Sequence, residues 1–282
     1  MPVINITTMQ GFITALQGIT SYTTLEIMND LDFNEVVSQI TESTINIPSS
    51  YTNPTIDITI NGNGHAVYNV EGGNFNPTVF RFMNCQNVVI NDLSFLNCHI
   101  TKNTTMLISA NTTSTNTITI NNAVIQGMFY GHPFSATTLN DCMITFSLCN
   151  GIMGYQYCQF NRCWIKFDRC TAKAASAGII YNCNQCYFTG EIGYSNMSSS
   201  HKVMGSIVNC CVNVTFNLIN SSTMTTQQIF GALQGMINII NKEKIHLVQQ
   251  SELEDTTYIK LITDEQMKNA NYLAEIGFDI IP

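Results

Sequence analysis

The sequence predicts an all-β solenoid, in which short strands stack coil upon coil. The first observation is a recurring turn that is marked by Asn or Cys and followed by a β-branched strand, as in residues 87–95 and 117–125. The second is the spacing of these strands, which recur after 30, 30, 24, 21, 23, 26 and 25 residues. Irregular steps of roughly 20–30 residues in a strand-rich chain are typical of stacked coils. The steps are measured between Ile60, Ile90, Ile120, Ile144, Ile165, Phe188, Val214 and Ile239.

The distribution of charge is the third observation. The chain is 45% hydrophobic but only 11% charged, whereas about a quarter of the residues in a typical domain are charged. Residues 35–241 carry 15 charged side chains in 207 positions, and residues 242–282 carry 12 in 41. Stacked strands place the side chains of neighbouring coils opposite one another, where like charges are destabilising. The charge-poor middle of the chain is therefore the predicted stacked region.

We expect one structural domain with three parts: an N-terminal cap at residues 1–54, the coils at residues 55–240, and a C-terminal coil with a cap helix at residues 241–282. The cap begins with a helix over residues 7–19, for which Thr7 and Gln10 form a predicted capping box. Its apolar face contains Met9, Phe12, Ile13 and Leu16. A strand over residues 25–33 and a polar loop over residues 34–54 complete the cap.

The C-terminal part repeats the helical pattern. Thr263 and Gln266 form a second predicted capping box, and an apolar stripe follows it. Such helices either cover the two ends of a solenoid, where unpaired strand edges are exposed, or pack against its side. Both arrangements stay open at this point. The stripe consists of Met267, Ala270, Leu273 and Ala274.

The cysteines and the start of the chain indicate a compartment. The chain has 11 cysteines, an odd number, and residues 1–5 show neither a basic region nor a long apolar core of the kind that begins a signal peptide. No apolar run approaches the length of a membrane span. We therefore expect buried thiols, synthesis in a reducing cytoplasm and no membrane insertion. The cysteines at strand or turn positions are Cys85, Cys142, Cys163, Cys183, Cys186 and Cys210.

Composition also bears on cofactors and nucleic acid. The net charge is −8, and the 11 basic residues are scattered, so nucleic acid is not an expected partner. The five histidines are isolated in sequence. Cys183 and Cys186 have the spacing of a zinc or redox pair, but no second pair follows at zinc spacing. We expect no metal and no other cofactor.

Residues 56–69 carry a family resemblance. The stretch from Ile60 to His65, Ile-Asn-Gly-Asn-Gly-His, resembles the first full coil of pectin-lyase-like right-handed parallel β-helix proteins, where it precedes a series of Asn-Val-x-Ile-x-Asn coils. Residues 264–278 resemble C-terminal segments of phage-encoded and bacterial surface β-helix proteins. The resemblance implies a single-stranded right-handed parallel β-helix of about eight coils with short α-helical caps at both ends.

In such a fold the inward side chains stack from coil to coil. The resemblance implies one aliphatic column formed by Ile90, Ile120, Ile144 and Ile165. It also implies a recurring turn at which buried asparagines bond the backbone of adjacent coils. The asparagines expected there precede cysteines and are Asn84, Asn182 and Asn209.

Catalysis by this fold requires paired carboxylates or a base beside a cation. Only seven acidic residues occur from Asp57 to Glu243, and none forms an Asp-Asp pair. The best candidate cluster contains Asp141, Asp168, Glu191, Arg162 and Arg169. The outer face of a strand explains the same residues, and a packed or turn position explains His65. We therefore expect no catalytic residues; an enzyme of this fold would be a polysaccharide lyase or glycoside hydrolase.

A carbohydrate-binding surface is the remaining site hypothesis. Five tyrosines fall within 40 residues, and exposed aromatic rings together with Asn and Gln are usual partners of sugars. The alternative is that the tyrosines fill the core or a cap, so the sequence leaves the binding residues unidentified. The tyrosines are Tyr155, Tyr157, Tyr181, Tyr187 and Tyr194.

These observations favour a non-enzymatic structural protein of a phage virion, made in the host cytoplasm and exposed on the particle. It would be either a capsid decoration protein or a tail-associated protein that binds the host or a glycan. Its expected partners are other virion proteins and a host surface glycan, and such proteins stand alone or bundle as homotrimers. The alternatives are a tail-spike-like polysaccharide depolymerase and a bacterial surface adhesin.

Overall fold

The computed structural model describes most of the chain, and most of the described residues lie in parallel strands. The described residues are 2–49, 56–72, 75, 78–83, 85–100, 105–110, 117–129, 133–148, 158–173, 182–195, 207–218, 237–240, 259–267 and 269–275. The predicted all-β parallel β-helix is confirmed. Contacts divide the chain into unit 1, residues 1–143 and 155–158, and unit 2, residues 144–154 and 159–282.

Unit 1 contains one helix, a 3₁₀ turn at Phe33–Glu35 and fourteen strands among its described residues. In chain order the elements are β1 (Val3–Ile6), α1 (Met9–Gln17), β2 (Thr23–Ile27), β3 (Leu31–Asp32), β4 (Ile45–Ile47), β5 (Ile56–Asn61), β6 (Ala66–Tyr68), β7 (Thr78–Phe82), β8 (Cys85–Asn91), β9 (Ser94–Ile100), β10 (Met106–Ala110), β11 (Thr117–Asn121), β12 (Val124–Phe129), β13 (Phe134–Ser135) and β14 (Thr137–Asn140).

Unit 2 contains the remaining described elements, apart from the first residue of β15, which belongs to unit 1. In chain order they are β15 (Met143–Ser147), β16 (Gln159–Asn161), β17 (Trp164–Lys173), β18 (Cys183–Asn184), β19 (Tyr187–Ser195), β20 (Ile207–Val208), β21 (Cys210–Leu218), β22 (Ile237–Ile240), β23 (Ile259–Ile262), α2 (Asp264–Met267) and α3 (Ala270–Glu275). No helix in the described part of the chain is long and apolar enough to cross a membrane.

Each coil of unit 1 passes through three parallel sheets. Sheet 1 has the strand order β1-β2-β5-β8-β11-β14, sheet 2 the order β3-β6-β9-β12, and sheet 3 the order β4-β7-β10-β13. Parallel neighbours require a crossover connection, and here sheets 2 and 3 supply it for each pair of strands in sheet 1. In the core of sheet 1, Ile60 pairs with Ile90 and Ile90 with Ile120.

The turns that follow the strands of sheet 1 have the same backbone conformation in successive coils. In four such turns of unit 1 one residue has a positive φ of 52–55°, and in three turns of unit 2 one residue has a positive φ of 50–52°. Asn and Asp tolerate this left-handed conformation better than other non-glycine residues, which explains why Asn marks the repeat. The residues are Asn63, Asp92, Asn122 and Asp141 in unit 1, and Arg162, Gln185 and Asn209 in unit 2.

Helix α1 covers the core at the N-terminal side of unit 1. The predicted apolar face is buried, and the ring centroid of Phe12 lies 6.4 Å from that of Phe80 in sheet 3. The helix spans Met9–Gln17 instead of the predicted residues 7–19. It begins later because the side chain of Thr8, not Thr7, accepts a hydrogen bond from the backbone N–H of Gly11. The connection β1-α1-β2 makes β1 a parallel neighbour of β2.

The rest of the predicted cap differs from the structure. The strand expected over residues 25–33 is two strands in different sheets, β2 and β3, because the chain turns at residues 28–30. The loop expected over residues 34–54 contains β4, which pairs with β7 in sheet 3. Ile45 and Ile47 alternate with Asn46 and point their apolar side chains into the core. Residues 23–47 thus already form a complete coil.

The single predicted aliphatic column is wrong beyond Ile120. Ile120 pairs with Leu139 in sheet 1, whereas Ile144 lies in β15 and Ile165 in β17, both in the sheet of unit 2 that continues to β23. In that sheet Ile165 pairs with Phe188. The residues chosen from the sequence spacing therefore belong to sheet 1 for three coils, Ile60 to Ile120. From Ile144 onwards they belong to the strands that follow the turn, which lie in a different sheet.

Unit 2 contains two parallel sheets among its described residues, one with the order β16-β18-β20 and one with the order β15-β17-β19-β21-β22-β23. Its core includes stacked phenylalanines. The ring of Phe167 lies 6.1 Å from that of Phe146, at 21° between planes, and 6.2 Å from that of Phe188, at 5°. Offset-stacked rings at this distance attract one another beyond their buried area.

Helix α3 packs against the side of unit 2. Thr263 and Gln266 form the predicted capping box, with Gln266 N–H donating to Thr263 Oγ1 at 3.2 Å and Thr263 N–H to Gln266 Oε1 at 2.9 Å. Leu273 of α3 is buried in a cluster with Tyr187, Cys211 and Ile262. Tyr187 alternates with the inward Cys186 and Phe188, so it faces outward from the sheet. Of the two arrangements that the sequence left open, α3 adopts the lateral one.

Candidate functional site

A ladder of side-chain amides crosses sheet 1 of unit 1. The last residue of each strand donates its Nδ2–H to Oδ1 of the matching residue one coil earlier. At the first strand the acceptor is the carboxylate of Glu26, whose Oε1 lies 2.7 Å from Asn61 Nδ2. The members are Asn61, Asn91, Asn121 and Asn140, with donor–acceptor distances of 3.2, 2.9 and 2.9 Å between successive asparagines.

A row of β-branched side chains runs beside this ladder. Each strand places one such residue two positions before its ladder residue, so both point to the outside of sheet 1. Register pairs Thr24 with Thr59, Thr59 with Val89, and Val89 with Thr119. Thr119 pairs with Thr138. All five are half-buried, as are the four ladder asparagines.

We call these two rows together the ladder face. It consists of Thr24, Glu26, Thr59, Asn61, Val89, Asn91, Thr119, Asn121, Thr138 and Asn140. The carboxylate of Glu26 is the one charged group in this set, so the middle of the face is neutral, polar and regular. Neighbouring strands lie about 4.8 Å apart, which fixes the spacing of its hydrogen-bonding groups. The face can recognise a repeating polar partner.

Acidic side chains of the first two coils hold the next coil by hydrogen bonds. Asp32 Oδ1 accepts from Asn69 Nδ2 at 2.9 Å, and Asn97 Nδ2 in turn donates to Asn69 Oδ1, which makes a second ladder at sheet 2. Asp57 Oδ1 accepts from both the backbone N–H and the Nδ2 of Asn87 at 3.0 Å. These carboxylates therefore serve the joints between coils.

Two histidines take part in the same kind of contact. His65 Nδ1 lies 3.2 Å from Asp30 Oδ1, which also accepts from the backbone N–H of Ala66. His99 Nδ1 lies 3.3 Å from Glu71 Oε2. His65 thus sits at the turn between sheets 1 and 2, beside the first residue of β6. This is the packed turn position that the sequence predicts for it.

The structure brings together part of the proposed catalytic cluster. Asp168 and Arg169 form a bulge opposite Glu191, since Phe167 pairs with Gly190 and Cys170 with Ile192. Arg169 Nε donates to Asp168 Oδ1 at 3.3 Å; the side chain of Arg169 is largely exposed and that of Asp168 is half-buried. Arg162 precedes β17 and lies about six residues, or roughly 20 Å of strand, from Asp168. Asp141 belongs to the turn after β14 in unit 1.

The tyrosine hypothesis fails for the ring that can be placed. Tyr187 is only 6% exposed, because Leu273 covers it and Trp164 packs beside it with ring centroids 5.6 Å apart. It fills a lateral cluster and offers no open surface to a sugar. Tyr155, Tyr157 and Tyr181 lie outside the described residues, and so does the side chain of Tyr194.

The buried thiols bond to the backbone of the coils. The ten cysteines in the described ranges are buried, and no disulfide joins any two of them. Cys186 Sγ donates to Phe160 O of the preceding coil at 3.3 Å, and Cys210 Sγ to Cys183 O at 3.6 Å. Burial, reinforced by a hydrogen bond to Cys186 and by neighbouring thiols, raises the pKa of Cys183 well above its usual range. The raised pKa keeps the Cys183 thiol protonated.

The predicted asparagine turn is only partly described and is not a single turn. Asn84 lies outside the described residues. Asn182 precedes β18 and Asn209 precedes β21, which belong to different sheets. Both residues have a positive φ, so each enables a turn, but at different corners. The observed ladder is a different one: it joins asparagine side chains to one another at the strand ends of sheet 1. Its available signal was the Ile-Asn pair that recurs with a 30-residue spacing at residues 60, 90 and 120.

One cleft is lined by described residues next to α1. Its rim carries Gln10, Gln17, Gln39 and Glu42, and Ile13 and Ile45 form part of its floor. Its volume is about 120 Å³, whereas pockets that enclose a small-molecule ligand usually measure about 300–1,000 Å³. No group of three His, Cys, Asp or Glu residues in the described part is arranged to hold a metal ion. The ladder face is therefore the stronger candidate site.

The chain matches no protein-family model, no curated protein and no solved structure. Its site is accordingly interpreted from its own geometry.

Proposed function

We propose that this chain is a non-catalytic structural protein of a phage particle, exposed on the particle surface as a capsid decoration or as a tail-associated protein that binds a host glycan. The observation that carries the proposal is the ladder face, whose amides are held in place before any partner arrives. Groups ordered in advance lose little conformational freedom on binding, which favours affinity. Parallel strands that pair with both neighbouring coils also make a stiff support for such a face.

The acidic side chains support a role without catalysis. Glu26, Asp32 and Asp57 accept hydrogen bonds from the next coil, so their geometry serves coil stacking. The neutral composition of the ladder face suits hydrogen bonding to sugar hydroxyls. In this proposal the partners are other virion proteins and a host surface glycan, and the protein acts alone or as a homotrimer. Light scattering on the purified chain measures that oligomeric state.

Immunogold electron microscopy of phage particles from the source culture tests the proposal. Antibody against the purified chain is expected to label the particle head or tail. Head label indicates a decoration protein, and tail label indicates host attachment. Label on bacterial cells without label on particles would contradict the virion role and favour a surface adhesin.

A polysaccharide depolymerase is the second candidate, favoured by the proximity of Asp168, Arg169 and Glu191 at the bulge of unit 2. Two carboxylates close together are the minimum for glycoside hydrolysis. The variants Asp168→Asn and Glu191→Gln, assayed for release of reducing ends from host polysaccharide, separate the two functions. Activity that is present in the unaltered chain and lost in both variants would replace the binding role with an enzymatic one.

A further inference from the structure

We infer that the ladder face binds a neutral, linear polysaccharide that lies across the strands of sheet 1, parallel to the amide ladder. This inference rests on the proposed glycan-binding role and names its ligand class and its site. Three properties of the face support it: the hydrogen-bonding capacity of its amides, the spacing of those amides, and the lack of positive charge.

The ladder amides keep hydrogen-bonding capacity for a partner. Asn91 donates one N–H to Asn61, and its oxygen accepts one hydrogen bond from Asn121. A primary amide has two N–H groups and two oxygen lone pairs, so Asn91 retains a donor and an acceptor. Asn121, which donates to Asn91 and accepts from Asn140, retains the same two groups. A sugar hydroxyl both donates and accepts, and it can use the two together.

The spacing of the ladder suits an extended polymer. Five strands, from β2 to β14, present ladder groups about 4.8 Å apart, so the ladder is about 19 Å long. A pyranose unit in an extended chain advances by a similar distance, so successive sugars meet successive strands. The β-branched row alongside adds methyl groups from Thr59, Val89 and Thr119 that can contact the C–H faces of the sugar rings. Thr119 also carries a hydroxyl group, which can hydrogen-bond a sugar hydroxyl. Affinity should therefore grow with oligosaccharide length until the oligosaccharide spans the whole ladder, at about four sugars.

Charge restricts the polymer to a neutral one. The ladder face carries the Glu26 carboxylate at one end, and Asp57 lies on the adjacent strand. No Lys or Arg is among the residues of this face, and the whole chain has a net charge of −8. A uronate or phosphate on the polymer would meet like charge without a compensating cation. The hydroxyl groups of a neutral sugar can instead hydrogen-bond the amide and hydroxyl groups of the ladder face.

Titration calorimetry of the full chain tests this inference. The probes are cello-, malto- and chito-oligosaccharides of two to six sugars, with polygalacturonate as the anionic comparison. We expect one neutral series to bind, with affinity that rises to about four sugars and then levels. Absence of binding by every neutral series, or tighter binding of polygalacturonate, overturns the inference.

Substitutions locate the site on the chain. Thr119→Val removes one hydroxyl group and keeps the shape of the side chain, and Asn91→Ala interrupts the amide ladder. We expect each to weaken binding about fivefold, as for one lost neutral hydrogen bond. Asn97→Ala is the matched control, because it shortens the second amide ladder at sheet 2 and should leave binding unchanged. Equal weakening by Asn97→Ala, or unaltered binding by Thr119→Val, overturns the placement.

The two proposals fail in distinguishable ways. Particle label without oligosaccharide binding leaves the virion role in place and removes the ligand assignment. Oligosaccharide binding that depends on Thr119, without particle label, does the reverse.

Discussion

Asn61 donates its Nδ2–H to Oε1 of Glu26 at 2.7 Å, and Asn63 donates to Oε2 of the same carboxylate at 3.0 Å. Glu26 thereby ends the amide ladder on the side where only an acceptor is needed. An ionised carboxylate has acceptors and no hydrogen to place, so it closes a row of donors without leaving one unmatched. Asp32 occupies the same place in the second ladder, where it accepts from Asn69.

Removal of the Glu26 carboxylate should destabilise the first coils. In Glu26→Ala, Asn61 loses its acceptor and Asn63 keeps only the backbone oxygen of Ile27. We expect the free energy of unfolding to fall by about 1–2 kcal/mol. Urea unfolding followed by circular dichroism measures this value. Glu35→Ala is the control, because Glu35 is exposed and surface changes usually stay within about 0.5 kcal/mol. Equal losses in the two variants would show that the carboxylate is not the end of a stabilising ladder.

Position 190 of β19, beside the bulge of β17, should tolerate only glycine. Gly190 has a φ of +98°, and a Cβ there would lie 1.9 Å from the backbone oxygen of Phe167. Gly190→Ala combines backbone strain with a clash against rigid backbone, so we expect a loss of at least about 3 kcal/mol in thermal or urea unfolding. Gly64 has a φ of +81° but open space around a Cβ, and Gly64→Ala should cost only about 1–2 kcal/mol. The reverse ranking would contradict the close approach at Gly190.

The lateral position of α3 can be followed by fluorescence. Trp164 is the only tryptophan of the chain, and it packs against the cluster that Leu273 closes. Leu273→Ala should weaken helix docking by about 2 kcal/mol and shift the emission of Trp164 to longer wavelength as water reaches the cluster. Glu275→Ala, an exposed change in the same helix, should leave the emission unchanged. An unshifted spectrum in Leu273→Ala would place α3 away from Trp164.

Stability should fall in alkaline solution, partly through one thiol. Burial raises the pKa of Cys98 from 9.0 to about 12. A raised folded-state pKa means that the native chain holds a proton that the unfolded chain releases, so stability is full below pH 9 and falls as pH rises towards 12. Cys98→Ala removes this titration. Between pH 8 and pH 11 it should lose about 2–3 kcal/mol less than the unaltered chain.

Urea unfolding at a series of pH values measures this difference. The cavity left by the smaller side chain lowers stability equally at every pH and so cancels from the comparison. Parallel pH profiles for the two proteins would mean that the Cys98 thiol does not titrate on unfolding in this range.

The repeat in the sequence was sufficient to predict the fold, but not to assign its strands. Ile60, Ile90 and Ile120 pair as predicted because their coils all have the same length. The next coil is shorter, and Leu139 follows Ile120 after 19 residues. Ile144 has the same β-branched surroundings but lies beyond the turn. Strands on either side of a turn have similar composition, and only the hydrogen-bond register distinguishes them.

The candidate site likewise combines features that the sequence predicts with features that depend on which strands are neighbours. The outward position of Asn91 follows from the two-residue alternation of a strand, yet its hydrogen bond to Asn61 depends on which strands are neighbours. The apolar side of α3 predicts that Leu273 is buried but does not specify the surface that buries it. Tyr187 supplies that surface from an outward strand position, where a polar or exposed residue is the usual expectation.

The donors of both ladders point in one direction, towards the N-terminus. Each coil consequently offers an acceptor to the coil that is synthesised after it, and the first acceptors, on Glu26 and Asp32, leave the ribosome before the asparagines that bond to them. Domains form progressively during synthesis, N-terminal part first. In this chain the order of synthesis and the order of hydrogen bonding coincide. Each folded coil can therefore act as a template on which the next coil folds.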